Sequence, residues 1–171
     1  SVAGVALSGS IEADATADPP KFKLALGTHD SDLGGLALLL AGVRGVKGQL
    51  GRFDLKLAAQ GDQGSELVRS LEVRLDVERG RFSYGNIAGG RPVKFALDRL
   101  AVLLPAGGAL TGDMRGNLLE HPFTAQLRAG VLEPMMLQTR APLDFMLRSG
   151  DVRARIHGSL QVPAADSGPE L

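Results

Sequence analysis

The sequence holds no cysteine and no tryptophan. The first absence excludes disulfides, thiolate metal sites and cysteine nucleophiles, and it is compatible with oxidising and reducing compartments alike. Aromatic residues make up only 4% of the chain, which leaves it poor in stacking platforms for bases or sugar rings. Nineteen Lys and Arg balance nineteen Asp and Glu. A formal net charge of zero gives no whole-chain field that would gather nucleic acid, so no nucleic-acid partner is expected. The longest apolar run, Leu33 to Val43, contains three glycines, and it is too short to cross a hydrocarbon core about 30 Å thick as a helix. The opening residues lack the basic start of a signal peptide. If the protein is exported, its signal or anchor is expected outside these residues, and the chain reads as a fragment of a longer one.

Motifs for chemistry are also scarce. His29, His121 and His157 are far apart and have neither H-x-x-x-H nor H-E-x-x-H spacing, so no metal site is expected. "GVRGVKGQ", residues 42–49, lacks the G-x-x-x-x-G-K-[ST] order that cradles a phosphate, and reads as a turn into a strand. Ser65 in "QGSEL" is not on a G-x-S-x-G elbow, and helix capping accounts for it. Asp54, Asp76, Asp98 and Asp144 each sit between apolar neighbours with Arg52, Arg74, Arg99 or Arg148 close by. They read as charge pairs on a solvated face rather than as an acid and base. Neither catalysis nor a cofactor is expected.

What the sequence has is alternation. Phe53, Leu55, Leu57 and Ala59 point one way while Arg52, Asp54 and Lys56 point the other, and Leu71, Val73, Leu75 and Val77 oppose Glu72, Arg74, Asp76 and Glu78 in the same manner. Val93, Phe95 and Leu97 follow the same rule, after which Leu100, Val102 and Leu104 continue in the opposite phase. The change of phase predicts a bulge or bend near Asp98 and Arg99 that divides one strand into two. Phe123, Ala125 and Leu127, then Leu143, Phe145 and Leu147, then Val152 to Val162, complete the series. "PAGG" at 105–108, "EHP" at 120–122 and "RSGD" at 148–151 are short turns, and short turns join antiparallel neighbours. The fold class is therefore mainly β, an antiparallel meander.

Three segments break the period of two and predict short helices near residues 31–42, 64–70 and 131–137. The first has Leu33, Leu36, Ala37 and Leu40 at helical spacing, Asp30 or Ser31 as N-cap and Gly42 as stop; the second has Ser65 as N-cap; the third has Leu132, Met135 and Met136. "GSIEADATADPPKFKLALGTHDSDLGGL" and "GNLLEHPFTAQLRAGVLEPMML" echo one another: a strand, a proline-marked turn, a strand led by Phe22 or Phe123, then a leucine-bearing patch. The chain is about one domain long, enough to bury roughly 70% of its unfolded surface. Residues 1–162 form the β-rich domain and 163–171 a flexible tail or linker.

The stretch "GRFDLKLAAQGDQGSELVRSLEVRLDVERGRF" is similar to a segment of AsmA-like proteins of Gram-negative envelopes: G-R-hydrophobic-D-L-x-L, a glycine-containing loop, an S-x-E-L-like turn, S-L, a second alternating strand and G-R. "DPPKFKLALGTHDSDLGGL" resembles the strand and acidic loop before it, and "GRPVKFALDRLAVLLPAGGALTGDMRGNLLEHPFTAQLRAG" the strand pairs after it. The resemblance implies a periplasmic protein anchored to the inner membrane through residues outside this chain. It also implies a strongly curved, groove-like sheet whose inside carries lipid acyl chains toward the outer membrane, with no catalytic residues.

The residues expected to face lipid are Phe53, Leu55, Leu57, Leu71, Val73, Leu75, Val93, Phe95, Leu97, Phe123, Leu127, Leu143, Phe145, Leu147 and Ile156. An apolar sheet face has to be covered, and the same residues would serve a closed core. Two readings follow: a module that holds or conducts acyl chains in phospholipid transport, or a scaffolding β-domain for outer-membrane protein assembly that binds no lipid. The expected partners are phospholipid, the remainder of its own chain and envelope proteins.

Overall fold

A computed structural model describes residues 6–32, 46–84, 93–131 and 140–161. Nine strands occupy almost all of them: β1 (Ser8–Asp14), β2 (Lys21–Asp32), β3 (Val46–Gln60), β4 (Glu72–Tyr84), β5 (Val93–Leu104), β6 (Ala109–Leu118), β7 (His121–Val131), β8 (Arg140–Ser149) and β9 (Val152–Gln161). A helix, α1 (Gly64–Ser70), separates β3 from β4. Each strand pairs antiparallel with its sequence neighbours, giving one meander sheet in the order β1 to β9.

One expectation about the sheet is corrected. It is open, and not strongly curled or closed. Closure would require β1 to bond to β9 with the strand tilt and stagger of a barrel, whereas β1 pairs only with β2 and β9 only with β8. Among the described residues there is one short helix, at the second of the three expected positions. Asp30 and Ser31 do not cap a helix but end β2, and the rest of that predicted helix lies outside the described residues, as do residues 132–137 of the third and the tail at 163–171.

The helix at 64–70 forms where its sequence places it, but Gln63 rather than Ser65 is the N-cap and makes no side-chain capping bond. Glu66 instead accepts a hydrogen bond from the Asp62 amide at 2.9 Å, in the manner of the carboxylate half of a capping box. Ser70 Oγ accepts from the Gln60 amide at 2.8 Å, tying the end of α1 to the end of β3.

The bulge in β5 is present: its pairing with β6 shifts between Leu97 and Arg99. It bends one continuous strand instead of dividing it into two. The irregularity is also wider than β5. Partners on either side leave Asp30 opposite Gly51, Gly51 opposite Arg79 and Arg79 opposite Asp98, and none of these four residues has a regular partner in those ladders. Asp30 (φ 47°) and Arg79 (φ 57°) are left-handed. A Cβ on Gly51 would lie 2.9 Å from the Cβ of Arg79, so glycine lets the two strands pass.

This crease moves each strand by one step of the pleat. Leu50 and Phe53, Val77 and Gly80, and Leu97 and Leu100 thereby stay on one face at a spacing of three, where simple alternation would have sent one of each pair to the other side. At the next strand the shift is absorbed by the β5 bulge. There Gly116 sits opposite Leu97, and a Cβ would come within 2.1 Å of the Ala96 carbonyl oxygen.

The connections follow turn chemistry. The Asp14 carboxylate accepts from Thr16 Oγ1 (2.7 Å) and from the Thr16 and Ala17 amides, which starts the β1–β2 turn. "PAGG" turns with Gly107 at φ 62°, and "RSGD" with Gly150 at φ 54°. The β6–β7 turn is Leu119–Glu120, one step before the "EHP" expectation, because His121 and Pro122 already belong to β7. Both turn residues have positive φ, 49° and 69°, as a two-residue type I′ hairpin demands. Leu and Glu pay a steric cost there that Asn and Gly do not. Leu119→Asn with Glu120→Gly is therefore expected to stabilise the chain by about 1–2 kcal/mol, read as a higher urea midpoint at unchanged slope.

Candidate functional site

The strand register assembles an apolar face row by row. One row crosses the entire sheet: Gly9, Leu26, Leu55, Leu75, Val102, Gly112, Leu127, Phe145 and Ile156 are successive partners on β1 to β9. Beside it runs Phe53, Val77, Leu100, Met114, Ala125, Leu147 and Ala154, and beyond that Leu50, Gly80, Leu97, Gly116, Phe123, Ser149 and Val152. On the other side lies Ile11, Leu24, Leu57, Val73 and Leu104. None of these rows contains Asp, Glu, Lys or Arg. Thr28 and Ser31, which continue the face on β2, are buried but satisfied: Thr28 Oγ1 donates to the Ala6 carbonyl at 2.7 Å, Ser31 Oγ donates to the His29 carbonyl at 3.1 Å, and the two hydroxyls hydrogen-bond each other.

Placement of the residues expected on this face is as follows. Phe53, Leu55, Leu57, Val73, Leu75, Phe95, Leu97, Phe123, Leu127, Leu143, Phe145, Leu147 and Ile156 share it, because directly opposed residues of an antiparallel pair project to the same side. Leu71 stands outside the strands, half-buried at the C-cap of α1. Val93 pairs with Tyr84 through its backbone, and its side chain lies outside the described residues. The face also takes in residues absent from that set: Ile11, Leu24, Leu26, Leu50, Val77, Phe82, Leu100, Val102, Leu104 and Met114. The period of two marks Leu24 and Leu26 between lysines and alanine. On β6 glycines at 112 and 116 dilute the signal, and at Leu50 and Leu100 the crease reverses it.

Burial on the face is graded. Leu50, Phe53, Val77 and Leu97 form a buried cluster near the middle, against which Leu55, Leu75, Phe82, Phe95, Leu100 and Met114 pack. Phe82, Phe95 and Phe123 stack in tilted pairs with ring centres 4.5 and 5.1 Å apart. The two margins are open: Ile11 is 70% exposed on β1, and Ile156 is 58% exposed on β9.

The opposite face is ionic. Asp54 and Asp76 are cross-strand partners, a repulsive arrangement offset by Arg52 beside Asp54 and by Arg74 and Arg99 on Asp76. Asp144 pairs with Arg155 on β9 at 2.7 Å rather than with the expected Arg148. The Arg74 hydrogen bond is the main reason that Asp76 titrates below the ordinary carboxylate range; partial burial pushes the other way, and Arg99 adds to the lowering. Asp144 is lowered likewise, first by Arg155.

A carboxylate whose folded pKa is depressed stabilises the fold above its unfolded value of about 3.9, and that stabilisation is lost as pH falls through the lowered folded value. Asp76→Asn is expected to lower the urea midpoint at pH 7 and to shrink the difference between pH 7 and pH 3.

Among the described residues, no three His, Asp or Glu side chains gather closely enough to hold a metal ion, and no helix is long and apolar enough to cross a membrane. Compared with known proteins, the chain matches no family model, no curated protein and no solved structure at a significant level. The AsmA-like resemblance rests on the alternation and glycine placement of residues 48–82 and their neighbours.

Proposed function

We propose that this chain is a non-enzymatic, AsmA-like envelope module whose apolar sheet face holds or conducts phospholipid acyl chains. The protein would be periplasmic and anchored to the inner membrane outside these residues. The observation that carries the reading is the row from Gly9 to Ile156: an uncharged strip continuous over nine strands and open to solvent at its last residue. Acyl chains ask of a binding surface only apolar contact and the absence of fixed charge, and this face offers both. The sheet is open, so chains would enter from its margins rather than through a mouth.

Native mass spectrometry and lipid extraction of the purified 171-residue chain test the reading. Co-purified phospholipid is the expected result, and a lipid-free chain that takes up none from vesicles would refute it. The second reading, a scaffold for outer-membrane protein assembly, is favoured by the edges: β1 and β9 each have one neighbour, and every described residue of both is exposed. It predicts capture of an extended client strand by a chain that carries no lipid.

A further inference from the structure

We propose that the end of the sheet where β3 begins, β4 ends and β5 begins is a docking site for an anionic phospholipid bilayer, with Lys47, Arg81 and Lys94 receiving the headgroup phosphates. This rests on the acyl-holding reading and adds to it the surface from which lipid is taken. Lys47 pairs with Ser83 and Ser83 with Lys94, so the two lysines flank a serine across three strands of the ionic face. Arg81 lies two residues back along the middle strand, between Gln49 and Ala96. With strands about 4.8 Å apart, the three cations rise from an area about 10 Å across.

All three are exposed and, among the described residues, none has a hydrogen-bonded or ion-paired side-chain partner. They line one shallow depression together with Gly48, Ser83 and Asn117. Glu120 lines the same depression, and Asp32 is two strands from Arg81 in the row through Gln49.

The charge of the chain is polarised along the strands. At this end β2 stops at Asp32, β3 starts at Val46, β4 stops at Tyr84 and β5 starts at Val93, and the turns Leu119–Glu120 and Gly150–Asp151 lie there too. The two turns add Glu120 and Asp151 there, and the sequence segments 33–45 and 85–92 hold Arg44 and Arg91 and no acidic residue. Described connections at the other end carry Asp18, Asp62 and Glu66 against Arg69. A negatively charged surface attracts Lys47, Arg81 and Lys94 and repels the acidic residues of the opposite end, which orients a molecule whose net charge is zero. Exposed flexible cations hold a single free phosphate weakly, whereas their attractions to a charged surface add.

Vesicle flotation of the whole chain tests the site, using phosphatidylcholine alone and phosphatidylcholine mixed with phosphatidylglycerol. Preference for the mixed vesicles is expected. Lys47→Gln/Arg81→Gln/Lys94→Gln should lose about a hundredfold in affinity, roughly fivefold per cation, while melting as the parent does. Lys21→Gln/Lys56→Gln/Arg128→Gln, which removes equal charge from the same face toward the opposite end, should lose less than about tenfold. Equal binding to both vesicles, equal loss in the two variants, or displacement by inorganic phosphate but not by chloride of equal ionic strength would overturn the proposal. Lipid extraction separates the two readings. Docking absent with lipid retained refutes this inference alone, and docking intact with no lipid on the parent refutes the acyl-holding reading alone.

Discussion

Val77→Asp is expected to leave the chain without a cooperative melting transition, while Ile156→Asp on the same face melts within about 0.5 kcal/mol of the parent. Val77 is 7% exposed and lies between Phe53 and Leu100 in its row, with no cation in that row or its neighbours among the described residues. An unpaired carboxylate there costs several kcal/mol, against a total stability of roughly 5–15 kcal/mol for a domain. The neighbouring carboxylate Asp76 is tolerated because one step along a strand turns it to the other face, onto Arg74 and Arg99. Ile156 is on an edge strand and open to water, so its replacement stays solvated. Circular dichroism on heating reads both. If Ile156→Asp also unfolds, the face is closed over to its margin; if Val77→Asp melts normally, the centre of the face is not buried as described.

The residues that made the sheet legible in the sequence are Phe53–Ala59 of β3 and Val73–Glu78 of β4, where large apolar side chains alternate mostly with charges, and the alternating Phe123–Leu127 and Leu143–Leu147 of β7 and β8. The meander followed from turns too short for anything but antiparallel return. The phase reversal at Asp98 was legible too, because Leu97 and Leu100 are both large and the break between them is visible. The same crease at Asp30, Gly51 and Arg79 was not. Gly51 and Gly80 contribute no side chain to a hydrophobic pattern, and a left-handed Arg79 leaves no trace in composition.

Capping by Ser65 failed for a related reason: any serine before a glutamate resembles a cap, and only the backbone angles of Gln63 decide where the helix starts. Curvature was inferred from resemblance, since alternation fixes which side of a strand is apolar and says nothing of how far the strands bend around it. The ionic corner escaped notice because Lys47, Arg81 and Lys94 are remote in sequence, and only the register of three strands brings them together.

Phe145→Asp separates an acyl-holding face from a merely buried one. Phe145 is half-buried, between Leu127 on β7 and the exposed Ile156 on β9, so water reaches a new carboxylate from the open margin and the fold is expected to survive. An acyl chain lying along the same row would present only methylene groups to that charge. Keeping the chain in place would then cost several kcal/mol, and each 1.4 kcal/mol is a tenfold loss, so co-purified phospholipid should fall by about a hundredfold or more. Phe145→Leu removes the ring and keeps the apolar surface, and it should retain lipid. The measurement is paired: thermal melting to show that each variant is folded, and extraction with mass spectrometry to count bound lipid. A folded Phe145→Asp chain that carries as much lipid as the parent would show that acyl chains do not use this row. One that is folded and empty beside a loaded Phe145→Leu places them on it, since the two variants differ at that position by the charge and not by the loss of the ring.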